Sequence, residues 1–156
     1  MAIESIKFGE VYTFTAKGDS PPYIKFINEK KYVALSNTKN PKYSFGDGEF
    51  YSINFIEGEY QNLNGNFSLG KEIKTIAIFF DDEDELNKKE YSRSYKRTLP
   101  RTNIFETGTI LENDDQWVYE NTINGKVVEY PLKNMSKKIP NSIAEFLNEY
   151  KQSENH

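Results

Sequence analysis

At 156 residues the chain has the length of one domain, and its 11 Tyr and 11 Phe supply large apolar surfaces for a single core. The net charge of -4 disfavours a protein whose main partner is a phosphate backbone, because such domains usually carry a basic stripe. No cysteine is present and the one histidine is His156, so disulfides, thiolate ligands, Ser-His-Asp or Cys-His catalysis and the usual zinc sites lack their residues.

Neither export nor a membrane segment is predicted. Residues 1–7 lack a basic stretch followed by the apolar segment of a secretory signal. The longest apolar run, residues 76–80, is far shorter than the roughly 20 residues that span a bilayer. We therefore expect a cytoplasmic protein.

Residues 8–66 alternate short strand-like runs with turn residues, which predicts an antiparallel sheet. The predicted features are, in order, a strand over 11–15, a loop over 17–22, strands over 23–27 and 32–35 about a turn at 28–31, a polar connection over 36–41, a strand over 50–63 with a bulge or bend at Glu57-Gly58, and a turn at Asn64-Gly65.

Residues 73–80 are the most apolar segment and predict a central strand that is covered on both faces. Residues 81–101 differ in kind, because acidic residues come first and basic residues follow, an order that suits a short helix. We interpret this segment as solvated and partly helical.

The acidic run of that segment has three interpretations: a solubilising loop, a patch that faces a protein partner, and a Mg²⁺ or Ca²⁺ site. A calcium loop of the EF-hand type is disfavoured, because Leu86 occupies a ligand position when the loop starts at Asp82. The partner-facing interpretation makes five residues candidates for binding: Asp81, Asp82, Glu83, Asp84 and Glu85.

The basic stretch that follows interleaves Tyr91 and Tyr95 with cations, a pattern that suits base stacking and contact with phosphates. The cations are Lys88, Lys89, Arg93, Lys96, Arg97 and Arg101. Because the neighbouring acidic run would repel phosphates, a self-neutralising charged segment is the favoured interpretation and nucleic-acid binding is the alternative. Both tyrosines are candidates for contact with a protein partner.

The remainder returns to strand composition, with a strand over 103–111 and a hairpin over 116–132 whose turn is Asn124-Gly125. A second acidic turn at 112–115 adds Glu112, Asp114 and Asp115 to the partner-binding candidates. Trp117 is a further candidate, although cross-strand packing beside Tyr119 is the favoured explanation for it.

Residues 140–150 predict a capped amphipathic helix after a polar linker at 133–139. Ser142 and Glu145 have the spacing of a capping box, in which each side chain accepts a hydrogen bond from the other residue's amide. The apolar side chains recur at helical spacing and form one stripe that must be buried; they are Ile143, Phe146, Leu147 and Tyr150.

This C-terminal part resembles the closing segment of the SUKH superfamily. There a late strand, here Gly-Lys-Val-Val-Glu-Tyr at 125–130, leads through a polar linker into a helix that reads roughly Ser-Phe-x-x-Phe-Leu. Ser142, Phe146 and Leu147 match that helix, and Ile143 replaces its first Phe. The family's helical opening has no counterpart in this chain. The resemblance implies an α+β protein that neutralises a toxin of bacterial competition, and it assigns no catalytic residue.

We therefore predict one α+β domain over 1–152, mostly antiparallel sheet with the C-terminal helix packed on it, and a frayed tail over 153–156. A partly closed barrel is the alternative architecture. The predicted function is a non-enzymatic cytoplasmic protein-binding module, an immunity or inhibitor protein whose acidic loops meet a basic surface such as a toxin domain. No cofactor, metal or catalytic residue is predicted.

Two rival functions come from other classes of protein. One is a nucleic-acid-binding barrel that uses the basic stretch. The other is a carboxylate- or metal-dependent hydrolase or nucleotide-binding protein, which requires a deep pocket that holds two or more of Asp47, Glu49, Asp81 and Asp82.

Overall fold

The computed structural model of the protein describes residues 5–14, 22–39, 50–97 and 108–153. Within these ranges the chain is mostly antiparallel sheet with a few short helices. The elements are β1 (Val11–Thr13), β2 (Tyr23–Phe26), β3 (Lys31–Lys39), β4 (Tyr51–Leu63), β5 (Asn66–Phe80), α1 (Glu83–Lys88), β6 (Glu90–Tyr91), β7 (Arg93–Arg97), β8 (Thr109–Asn113), β9 (Gln116–Ile123), β10 (Lys126–Pro131), β11 (Lys133–Met135), α2 (Ile143–Leu147) and β12 (Lys151–Gln152).

The main sheet forms a nearly closed barrel. Its strands follow the order β10-β9-β8-β5-β4-β3-β2-β1-β11, with β7 as an additional partner of β5. The two ends of this order, β10 and β11, are consecutive in the chain and separated only by Leu132. One stretch of chain therefore bonds to β9 with its first half and to β1 with its second half. The antiparallel sheet is confirmed, and the partly closed barrel is the architecture it adopts.

A cluster of buried side chains fills the barrel interior, because its members come from strands all round the barrel. Aromatic rings dominate it: the Phe14 and Tyr119 rings stack with their centroids 4.2 Å apart, and the Phe26 ring meets the Tyr60 ring edge-on at 4.8 Å. The cluster comprises Tyr12, Phe14, Ile24, Phe26, Tyr32, Ala34, Ile56, Tyr60, Leu69, Ile110, Tyr119 and Leu132. Aromatic side chains thus fill much of this interior.

A second cluster covers the outer face of β3, β4 and β5. Strand alternation separates the two clusters: Tyr32 and Ala34 of β3 belong to the inner one, whereas Val33 between them belongs to the outer one. The outer face is covered by residues 139–150, from which Ile139 and Phe146 are buried. The Phe146 ring stacks on the Phe55 ring with centroids 5.0 Å apart. The prediction that residues 73–80 form a strand covered on both faces agrees with the burial of Thr75, Ile76, Ala77 and Ile78.

The C-terminal helix is shorter than the sequence predicts. The N-cap is confirmed, since Ser142 Oγ accepts a hydrogen bond from the Glu145 amide at 3.1 Å. The helix ends at Leu147, however, and the bonds from Glu149 N to Phe146 O and from Tyr150 N to Leu147 O tighten the following turn. The chain then joins β6 through β12, so pairing with another strand replaces the last helical turn. The residue predicted to begin the frayed tail, Ser153, is buried, and its amide donates to Tyr91 O at 2.8 Å.

Three segments were predicted wrongly to be irregular, and the structure shows them as strands or as part of a strand. Residues 36–39 extend β3 rather than form a polar connection, because they pair with residues 51–54 of β4. Residues 93–97 form β7 against β5, although they lie in the segment predicted to be solvated and partly helical. Residues 133–135 form β11 within the predicted linker. In each case the backbone pairing is supplied by a distant strand.

The bulge predicted at Glu57-Gly58 is confirmed, because the pairing of β4 with β5 shifts register between Glu57 and Glu59. Gly58 also allows a close approach: a Cβ atom there would lie 2.7 Å from the Tyr32 ring. The Asn64-Gly65 and Asn124-Gly125 turns are confirmed too, since all four residues have positive φ angles.

Phe146→Ala should lower the free energy of unfolding by about 3–5 kcal/mol, because it removes a fully buried ring that stacks on Phe55. Chemical denaturation measures this. Val127→Ala is the control, because Val127 is 64% exposed on β10 and should change stability by less than about 0.5 kcal/mol. A Phe146→Ala protein as stable as the control would show that the outer cover contributes little to the fold.

Gly58→Ala should destabilise the protein by about 1–3 kcal/mol, because the added methyl group overlaps the Tyr32 ring. The same substitution in a Tyr32→Leu background should cost less, since the ring atoms that it meets are gone. The unfolding free energies of the four proteins test this coupling. Equal costs in both backgrounds would contradict it.

Candidate functional site

The predicted acidic run is partly committed to folding, because it caps α1. Asp82 is the N-cap: its Oδ1 accepts from the Glu85 amide at 2.9 Å, while Glu85 Oε1 accepts from the Asp81 amide at 2.7 Å. This arrangement resembles a capping box and satisfies amides that the helix leaves unpaired. Asp81 Oδ1 in turn accepts from Ser92 Oγ at 3.3 Å. Asp81 and Glu85 are accordingly half-buried.

The other acidic side chains of the run lie on the surface. Asp82, Glu83 and Asp84 are exposed, and Asp84 forms an ion pair with Lys88 one turn later at 3.0 Å. The hydrogen bond and charge of Asp84 raise the pKa of Lys88. Across the described parts of the chain, no three His, Asp or Glu residues are grouped so that they could hold a metal ion. The run is therefore a helix cap that displays carboxylates.

The two candidate tyrosines differ in position. Tyr91 on β6 is half-buried and packs against the outer cluster. Tyr95 on β7 is 56% exposed and lies opposite Ala77 of β5. Next to it along β7, the Arg93 guanidinium lies over the Phe79 ring, 4.3 Å from the centroid. Tyr95 is thus the candidate aromatic residue that the surface displays.

The acidic run and Tyr95 lie near the same end of β5. Helix α1 follows the end of β5, and β7 runs back along that end of β5 with Arg93 opposite Phe79. Ala77, opposite Tyr95, is four positions before Asp81, which corresponds to about 13 Å along an extended chain. We call α1 with its cap Asp82, together with β7, the α1–β7 surface.

The second acidic turn lies elsewhere. Strand β8 pairs with Phe67 and Ser68 near the start of β5, whereas the acidic run follows the end of β5. Asp114 and Asp115 form the β8–β9 turn with φ angles of 53° and 62°, and Glu112 is exposed beside them. The two predicted acidic clusters are consequently at opposite ends of a 15-residue strand and do not form one site.

Trp117 packs against the barrel interior. Its ring stacks with that of Phe67 at 5.9 Å, and the residue is half-buried. Its indole Nε1 is buried, and no described residue accepts a hydrogen bond from it. The packing alternative of the sequence prediction therefore describes the side chain.

Several residues of the rival predictions lie outside the described part of the chain, and others have a role in the fold. Asp47 and Glu49 lie outside the described residues, as does Arg101 of the basic stretch. Lys88 pairs with Asp84, and Lys89 closes α1 in the left-handed conformation. The described part of the basic stretch thus includes two residues that stabilise or terminate α1.

Two pockets were not predicted from the sequence. One, of about 550 Å³, lies between β3, β4 and the start of α2 and is lined by opposite charges that include Lys31, Lys74, Glu57 and Glu59. Glu57 Oε2 accepts from the Ile143 amide there at 2.6 Å, so this carboxylate anchors α2. The other, of about 520 Å³, surrounds Lys25. A single lysine in a strand carries no sequence signal of burial.

No family model matches the chain, and no match to it was found among the curated proteins or the solved structures. None of the described helices is long and apolar enough to cross a membrane.

The sequence also did not predict a pair of carboxyl groups on two neighbouring barrel strands. Glu120 of β9 lies directly opposite Glu129 of β10. Partial burial, together with the hydrogen bond to Glu129 and its charge, raises the pKa of Glu120. A raised pKa in the folded state means that the stabilising contribution is present at acid pH and is lost as pH rises through that value.

Glu120→Gln should therefore raise the free energy of unfolding at pH 7 by about 0.2–1 kcal/mol, because it removes a like-charge pair between neighbouring strands. The gain should shrink as the pH falls and Glu120 becomes protonated. Thermal unfolding at several pH values measures the difference. Glu112→Gln is the control, since it makes the same charge change at an exposed position; a gain that is independent of pH would contradict the assignment.

Proposed function

We propose that this protein is a non-enzymatic protein-binding module, an immunity or inhibitor protein that neutralises a toxin or another effector and acts in the cytoplasm. The observation that carries the proposal is the α1–β7 surface. There the exposed carboxylates of α1 lie near the same end of β5 as the exposed ring of Tyr95, which belongs to the paired strand β7. This combination suits recognition of a basic protein surface.

The acidic part of that surface would govern encounter. The carboxylates of Asp82, Glu83 and Asp84 are exposed, and complementary charge raises the association rate with a basic partner. The capping bonds of Asp82 and Glu85 hold the run in one conformation, so little ordering is needed when the partner arrives. Glu83 is the best residue of the run for testing the association rate. Its side chain is exposed at the first turn of α1, whereas Asp82 caps the helix and Asp84 pairs with Lys88.

Tyr95 would supply much of the affinity. Tyrosine is enriched among the residues that dominate protein interfaces, and Tyr95 combines a large exposed ring with a position on a paired strand. Its cross-strand neighbour, Ala77 of β5, is buried. A partner that covers this ring would remove apolar area from water without rearranging the barrel.

The C-terminal part adds a second line of support. The residues that resemble the SUKH superfamily, Ser142, Phe146 and Leu147, cap and pack α2 against the outer cluster. The proposed fold class is α+β, with this amphipathic helix packed on the sheet as part of the domain. The helix then stabilises the sheet, and recognition falls to the α1–β7 surface.

The test begins with affinity capture from the native host, using the full chain as bait. We expect a protein partner with a basic surface, and a neighbouring reading frame that encodes a toxin would identify it. Recovery of nucleic acid without any protein would overturn the proposal.

With the purified partner, Tyr95→Ala should weaken binding by at least about 2 kcal/mol, or about 30-fold, through faster dissociation. Glu83→Lys should slow association and reduce its dependence on salt. Surface plasmon resonance separates the two rates. Glu112→Lys makes the same charge change at the other end of β5 and should bind like the wild type; Tyr95→Ala binding of wild-type strength would count against the α1–β7 surface.

A further inference from the structure

The pocket around Lys25 contains a buried cation. Lys25 lies on β2 and is only 6% exposed, and its Nζ donates to the backbone carbonyl of Ile139 at 2.5 Å. Within the described ranges, that carbonyl is the one hydrogen-bond acceptor that this ammonium reaches. Burial lowers the pKa of Lys25, which reflects the cost of holding the charge there, and the negative charge of Glu145 opposes this effect only in part. An ammonium group has three donors, so a ligand oxygen would be a favourable addition.

Further lysines of a different segment border the same pocket. Lys137 and Lys138 line it, and Lys137 is held in place because its ammonium lies 4.3 Å from the centroid of the Tyr23 ring. The pocket of about 520 Å³ also has two acidic residues on its rim, Glu145 and Glu149, both of which are exposed. The buried floor is therefore cationic, and the charges that oppose it are solvated.

We propose that this pocket binds the phosphate group of a small molecule. Lys25 would donate to a phosphate oxygen from the floor, and Lys137 and Lys138 would complete the site from the rim. Lysine is a common phosphate-binding residue because its ammonium acts as a compact point charge. An anion in this position converts a buried, carbonyl-bonded cation into an ion pair, which is stronger in a water-poor setting than at the surface.

The competing explanation is that Lys25 has only a structural role, in which its hydrogen bond to Ile139 O attaches that segment to β2. Both explanations predict a change in stability when Lys25 is replaced, so stability alone does not separate them. Affinity for phosphate does, because a fastening role gives it no reason to depend on Lys25. Removing a positive charge from the pocket should weaken the binding of an anion, whereas removing a negative charge from the acidic rim should strengthen it.

The full chain is titrated with inorganic phosphate and with pyrophosphate at constant ionic strength. Calorimetry and phosphorus NMR monitor the binding of each probe. Lys25→Met keeps a long side chain and removes the charge, and exchanging a buried ion for an apolar group is often neutral or stabilising, so the variant should fold. It should weaken binding at least about tenfold, the effect of one charge-assisted hydrogen bond. Lys138→Gln should weaken it less, and Glu145→Gln should strengthen it.

Lys133→Met is the matched control, because Lys133 is exposed on β11 and does not line the pocket. It should leave the affinity unchanged. No saturable binding of either probe would overturn the proposal, as would equal weakening by Lys25→Met and Lys133→Met, which would indicate general attraction of anions. If Lys25→Met fails to fold, the opposite effects of Lys138→Gln and Glu145→Gln decide the matter.

Discussion

The structure depends on the closure of its barrel by residues 126–135. The first half of this stretch bonds to β9 and the second half to β1, with Val11 opposite Met135 and Thr13 opposite Lys133. Leu132, buried between the halves, donates its amide to Trp117 O at 3.0 Å. Closure pairs the outer edge of β1 with β11, and it turns one face of the sheet into an interior. Phe14 and Tyr119, far apart in sequence, can then stack in a single core.

The outer cover follows from the same arrangement. Because the barrel interior uses one face of β3 and β4, the apolar side chains of the other face need a second cover, and residues 139–150 provide it. The hydrogen bond from Lys25 to Ile139 and the bond from the Ile143 amide to Glu57 attach this cover at two points. The same contacts shape both pockets. Stability and pocket formation are thus properties of one packed segment.

The acidic run combines side chains that hold the fold with side chains that are exposed. In the acidic run, Glu85 and Asp82 satisfy amides at the start of α1, whereas Glu83 is displayed. The sequence contains the Asp-x-x-Glu spacing of that cap, so the helix start was open to prediction. What composition did not show is that Tyr95 stands on a strand, because the polar segment β7 is held in the sheet by backbone pairing with the apolar end of β5.

The sequence by itself determined the features that depend on neighbouring residues: the two Asn-Gly turns, the bulge at Glu57-Gly58 and the Ser142 cap. Each is set by backbone angles or hydrogen bonds within a few positions. Tertiary structure decided which polar segments became strands, as β7 and β11 did, and where the apparent helix at 140–150 ended. It also decided that Lys25 is buried and that the acidic clusters are apart. The reason is that backbone pairing and burial are properties of two distant segments together.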